Sequence, residues 1–130
     1  MQVIEKFLQE TSIEELAKIT LAIDLDKTVH RYSKGFHDGT IYDSPMEGVR
    51  EALELLSKKY RLILFTARIY VQGAEAKAKI EEWLKRYDLL KYFAKITGEK
   101  EPCVRYIDDK AITFRNWSET LQVLKQENLL

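Results

Sequence analysis

Two short runs, TLAID (20–24) and RLILF within RLILFTAR (61–68), are apolar at successive positions and not at every second one. A strand with one wet face alternates. An unbroken apolar run belongs to a strand covered on both faces, which is the usual state of a parallel sheet. The segments around these runs have helical periodicity instead. Pro45 is suited to the first turn of a helix whose apolar stripe is Val49, Ala52, Leu53 and Leu56. GAEAKAKIEEWLKRYDLL (73–90) turns Ala76, Ile80, Trp83, Leu84 and Tyr87 to one side. FAKIT (93–97) and CVRYIDD (103–109) read as further strands, and Ser118 as the cap of a last helix with Leu121 and Leu124 inward. This order predicts one α/β domain over residues 1–130, a Rossmann-like three-layer α/β/α sandwich with a mostly parallel sheet. A chain of 130 residues is long enough for one such core and short for two.

Val3, Ile4, Phe7 and Leu8 have the spacing of a short amphipathic helix over 2–10. SIEE then resembles a capping box, Ser12 as cap and Glu15 reaching back, ahead of a second helix with Ile13, Leu16 and Ala17 inward. Residues 1–19 thus read as an N-terminal helical extension. VHRY and TIYD flank a polar, glycine-containing stretch, so residues 29–44 read as a loose hairpin or flap. Lys plus Arg and Asp plus Glu are 21 each, a balance that argues against a dedicated nucleic-acid binder. The lone Cys103, read as a semi-buried hydrophobe, excludes an internal disulfide and suits a reducing compartment. With no signal-like N-terminus and no run of membrane-spanning length, the expectation is a cytoplasmic protein with no membrane partner.

Parallel connections place the C-terminal ends of all strands on one edge, where ligands bind near the point at which strand order reverses. The first strand ends in Asp24, with Asp26 two residues on; the second ends in Thr66; the last ends in Asp108 and Asp109. Lys100 lies in the loop before the last strand. Carboxylates at close range repel unless a cation or a substrate compensates them. Hard oxygen ligands suit Mg2+, which takes few carboxylates and binds phosphate. A carboxylate can attack phosphorus, and a second one nearby can serve the leaving oxygen and then the attacking water. Thr66 and Lys100 can hold the non-bridging oxygens, with Ala67 and Arg68 beside them as substrate-binding positions. Arg68 can meet substrate phosphate or pair with an acid. Lys95 competes with Lys100 but falls within a strand pattern. His30, Arg31, Lys34 and His37 read as solvated flap residues that could choose substrate, Asp38 and Asp43 as turn residues, and Trp83 and Trp117 as packing.

DLDKT resembles the first motif of the haloacid dehalogenase superfamily, Asp-x-Asp-x-Thr. LILFTAR resembles its second motif, Lys100 in GEKEP its third, and YIDD its fourth, in order from Thr20 to about Trp117. The resemblance implies that Asp24 is the nucleophile and a Mg2+ ligand. It implies that Asp26 is the general acid and base and offers the metal its backbone carbonyl. Thr66 and Lys100 would hold the phosphoryl group, Asp108 would bind the metal, and Asp109 would do so directly or through water. A carboxylate at the second position marks phosphatases and phosphotransferases and not dehalogenases. Many members carry glycine where this chain has Lys27. The favoured reading is that lysine accepts a less extreme backbone there; the other is that it points at an anionic substrate. Thr28 ties down the turn. Residues 29–44 and 67–99 leave no room for a folded cap domain. A capless or minimal-cap enzyme would be closed by a large substrate or by a neighbouring subunit of a homo-oligomer. The expected activity is Mg2+-dependent hydrolysis of a small-metabolite phosphate monoester through an aspartyl phosphate. The alternatives are a polynucleotide-end or phosphoprotein phosphatase, a phosphotransferase, and a non-catalytic phosphate-binding module.

Overall fold

Both apolar runs are strands, and their partners explain why neither alternates. A computed structural model describes residues 12–130, so the helix expected over 2–10 lies outside the described residues. β1 (Thr20–Asp24) pairs in parallel with β2 (Arg61–Phe65) on one side and β4 (Arg105–Ile107) on the other. β3 (Phe93–Thr97) adds beyond β2, giving the order β3-β2-β1-β4 with every pair parallel. Helices α1 (Ile13–Ile19), α2 (Val49–Ser57), α3 (Ala67–Gln72), α4 (Ala74–Arg86) and α5 (Trp117–Gln126) flank the sheet. The expected α/β class and parallel sheet are therefore present. No helix among the described residues is long and apolar enough to cross a membrane.

Register assigns the two faces. Leu21 and Ile23 of β1 lie beside Leu62 and Leu64 of β2, and with Ile96 they pack against Leu53 of α2 and Ile80, Trp83 and Leu84 of α4. The opposite face carries Ala22, Ile63 and Tyr106 in one row. Here the connection from β3 to β4 is a bare loop, 98–104. Its Glu101 N–H donates to the Tyr106 hydroxyl at 2.7 Å, and that hydroxyl donates back to the Glu101 carbonyl at 2.7 Å.

Several local expectations are corrected. α2 starts at Val49 behind Gly48, whose φ of 82° suits glycine, while Pro45 forms a bridge with His30. The flap 29–44 is a run of turns without a ladder, and its polar groups bond to one another. Ser12 caps α1 as expected, accepting from Glu15 N–H at 3.1 Å, yet Ile13 is exposed and no α1 residue is buried. The last helix is capped by Asn116, which accepts from Glu119 N–H at 2.9 Å; Ser118 lies inside it. Trp117 is 69% exposed and stacks edge-on against Phe114, and Leu121 is exposed too. A three-residue edge strand offers this helix little surface, and none of its residues is buried.

Candidate active site

β1 ends at Asp24, opposite Phe65 in the β2 register, and Thr66 follows as the cap of α3. The chain leaves β1 toward β2 and β3, then returns to place β4 on the other side, so strand order reverses beside Asp24. A cavity of about 360 Å³ opens there, lined by Asp24, Asp26, Thr66, Ala67, Arg68, Asp108 and Asp109. Seven of the predicted site residues thus converge. The eighth, Lys100, does not line this cavity: it is exposed, with its ammonium 5.6 Å from the Tyr106 ring centre. Its rival Lys95 is paired with Glu101 at 2.8 Å. The loop from β3 to β4, which no helix bridges, sets the Lys100 ammonium over the Tyr106 ring.

Asp24 and Asp26 have opposite electrostatics. Burial pushes the Asp24 carboxyl up to about 6, against a hydrogen bond from the Leu25 backbone, with repulsion from Asp109, Asp26 and Asp108 adding to the rise. Burial also pushes Asp26 up, but hydrogen bonds from His30 and Arg68 and the charge of Arg68 outweigh it and hold Asp26 below the usual carboxylate range. Arg68 grips Asp26 through Nε at 2.8 Å and Nη2 at 3.1 Å. Of its two sequence-level readings, the pairing one is realised. With both oxygens engaged, Asp26 is held in its ionised form, without a proton of its own to give.

His30 is the residue that pattern reading placed worst. It is fully buried. Its Nε2 accepts from the Asp43 backbone N–H at 3.1 Å, which leaves the proton on Nδ1, 2.8 Å from Asp26 Oδ1. Tyr32, Tyr42 and Trp83 surround the ring edge-on. Arg68 also donates to the Gly39 carbonyl at 2.8 Å, so the flap is fastened to Asp26 at two points, through His30 and through Arg68. Trp83 adds a third tie, its indole N–H donating to the Asp43 carbonyl at 3.0 Å. Trp83→Phe keeps one aromatic ring but removes the pyrrole half of the buried indole with its N–H, so a loss of about 2–3 kcal/mol in denaturant unfolding is expected. Asp38 and Asp43 are turn residues as read. Asp43 is drawn down to about 2 by hydrogen bonds from the Ser33 side chain and backbone and the Ser44 backbone.

Six further residues line the cavity that motif reading did not assign to it: Tyr32, Phe36, Phe65, Val71, Gln72 and Lys110. Phe36 is 62% exposed, with its ring lying on Gly39 (φ 80°), where a Cβ would meet it at 3.0 Å. Lys110 directly follows the acids of YIDD and was legible from that adjacency. Lys27 lines the cavity as well. Its φ of 65° overturns the favoured reading of a relaxed backbone: the turn takes the glycine conformation with a lysine in it.

For a cation, the rim offers the Asp24 carboxylate, the Asp26 backbone carbonyl and the carboxylates of Asp108 and Asp109. The Asp26 carbonyl accepts no hydrogen bond among the described residues. Asp108 Oδ1 accepts from the backbone N–H groups of Lys110 and Ala111, at 2.8 and 2.7 Å. No three acidic, histidine or cysteine side chains form a ready-made metal cage among the described residues. Comparison of the chain with protein-family models, curated proteins and solved structures gives no match.

Proposed function

We propose that the chain is a capless, haloacid dehalogenase-like phosphatase that hydrolyses a small phosphate monoester with Asp24 as nucleophile. The observation that carries this is the Asp24 carboxyl itself. It stands at the strand-order reversal, raised to about 6 by burial and by its acidic neighbours, beside a buried Thr66 hydroxyl. A carboxylate so situated gains from a cation and an electrophile. The donor set fits Mg2+, which needs one or two carboxylates and keeps its waters, better than a metal requiring an all-protein cage. Asp24, the Asp26 carbonyl and Asp108 or Asp109 would hold it, and it would supply charge neutralisation for the phosphoryl group.

The protein's own residues divide the reaction into two displacements. In the first, an Asp24 oxygen bonds to phosphorus as the ester P–O bond breaks. The leaving oxygen departs with the electron pair and takes a proton from the water that an uncapped cavity admits. In the second, water attacks the same phosphorus and gives its proton to Asp26. The P–O bond to Asp24 breaks, orthophosphate leaves, and Asp26 returns the proton to solvent. Thr66 donates to a non-bridging oxygen in both steps. The cavity volume and the apolar wall of Tyr32, Phe36 and Phe65 favour a small ester over a macromolecule.

Because Asp26 is held ionised, esters with acidic leaving groups are the favoured probes. Turnover of p-nitrophenyl phosphate is expected with Mg2+ and its loss with EDTA. Beryllium fluoride with Mg2+, a mimic of the phosphorylated carboxylate, is expected to raise the unfolding temperature. Absence of both turnover and the beryllium fluoride shift would sink the reading.

A further inference from the structure

We infer that Lys27, together with Lys110, grips the substrate's phosphoryl oxygens in the role expected of Lys100; the inference rests on the phosphatase reading. A phosphomonoester dianion must enter a cavity lined by four carboxylates, and cations on its wall favour its entry beside a bound metal ion. Arg68 is committed to Asp26 and to the flap carbonyl of Gly39. Lys100 and Lys95 stand elsewhere, over Tyr106 and against Glu101. Lys27 and Lys110 line the cavity, and neither ammonium has an ion-pair or hydrogen-bond partner among the described residues. Both share the cavity wall with Asp24, Lys27 in the turn after β1 and Lys110 in the turn after β4.

The backbone adds an independent argument. The turn after β1 is closed by Lys27 N–H donating to the His30 carbonyl at 2.8 Å, while the Leu25 carbonyl accepts from Val29 N–H at 2.9 Å and His30 N–H at 2.8 Å. That closure demands a positive φ at position 27, which glycine adopts without strain and a lysine does not. A lysine kept at a positive φ on the wall of a reactive cavity points to use of its side chain. Lys110 is fixed at its stem, its backbone N–H donating to Asp108 Oδ1 at 2.8 Å.

The test separates backbone from ammonium. Binding of inorganic phosphate in the presence of Mg2+ is measured by calorimetry for the wild type, Lys27→Gly, Lys27→Asn, Lys27→Arg and Lys110→Ala, alongside thermal unfolding. Lys27→Gly relieves the turn, so its unfolding temperature is expected to equal or exceed that of the wild type. Its phosphate Kd is expected to rise about tenfold or more, the worth of one charge-assisted hydrogen bond. Lys27→Asn, which tolerates the same φ, should show the same loss of affinity, and Lys110→Ala a comparable one. Lys27→Arg should return to near the wild-type Kd. Wild-type affinity in both Lys27→Gly and Lys27→Asn would overturn the inference while leaving the phosphatase reading intact. A wild type that neither binds phosphate nor turns over an aryl ester would remove that reading, and this inference with it.

Discussion

Asp24→Asn is expected to unfold at a higher temperature than the wild type in metal-free buffer at pH 8, and to have lost hydrolysis. The two effects share one cause. In the native chain burial and the neighbouring acids raise the Asp24 carboxyl from 3.8 to about 6. The native state therefore holds its proton to higher pH than the unfolded chain does. The stability linked to that proton is complete below about pH 4 and is lost as pH rises through 6; above that the ionised, repelled carboxylate is a constant burden. The full shift would correspond to about 3 kcal/mol. Since Asp24 is only half-buried, about 1–2 kcal/mol is the expected gain for the asparagine variant at pH 8. Mg2+ should raise the wild-type unfolding temperature and leave the variant nearly unmoved. With no carboxylate to attack phosphorus, turnover should fall by a factor on the order of 10³ or more. Equal stabilities of the two proteins from pH 4 to pH 8 would refute the electrostatic account. Undiminished turnover in the variant would refute the nucleophile assignment.

His30→Ala has the largest stability cost expected of any single change in the flap. The substitution opens a cavity among Tyr32, Tyr42 and Trp83. It strips a hydrogen bond from Asp26 and leaves the Asp43 N–H without its acceptor. Lost packing and an unsatisfied amide together predict a loss of about 3–4 kcal/mol in chemical denaturation. His30→Asn can still donate to Asp26 and should recover about half of that. Asp26 would also rise toward the ordinary carboxylate range in His30→Ala, moving the acid limb of any pH–rate profile upward. A loss under about 1 kcal/mol would mean that His30 is the solvated flap residue suggested by sequence alone.

The placement of the acidic pair was legible in the chain. Unbroken apolar runs required buried parallel strands, and parallel strands required a shared C-terminal edge. Asp24 ends the first of those runs and Thr66 follows the second, while Asp108 and Asp109 follow the shorter strand segment VRYI, so local sequence sufficed to bring them together. Ala76, Ile80, Trp83 and Leu84 were likewise readable, because helical spacing and a covered sheet face demand the same residues.

Other features depended on contacts between segments far apart in the chain. Arg68 meets Asp26 across 42 positions and Trp83 meets Asp43 across 40, and no local pattern encodes either. The burial of His30 depends on rings contributed by the flap and by α4. The seat of Lys100 over Tyr106 depends on the β3–β4 loop, which is tied to the Tyr106 hydroxyl through Glu101. Lys27 shows the division within one residue. Its place after the acidic pair was visible from the start, but its backbone conformation was decided by the hydrogen bonds that close the turn against His30. Periodicity records which side of an element is dry. The partner of a charged group, and the strain accepted to aim it, are set only when the elements have packed.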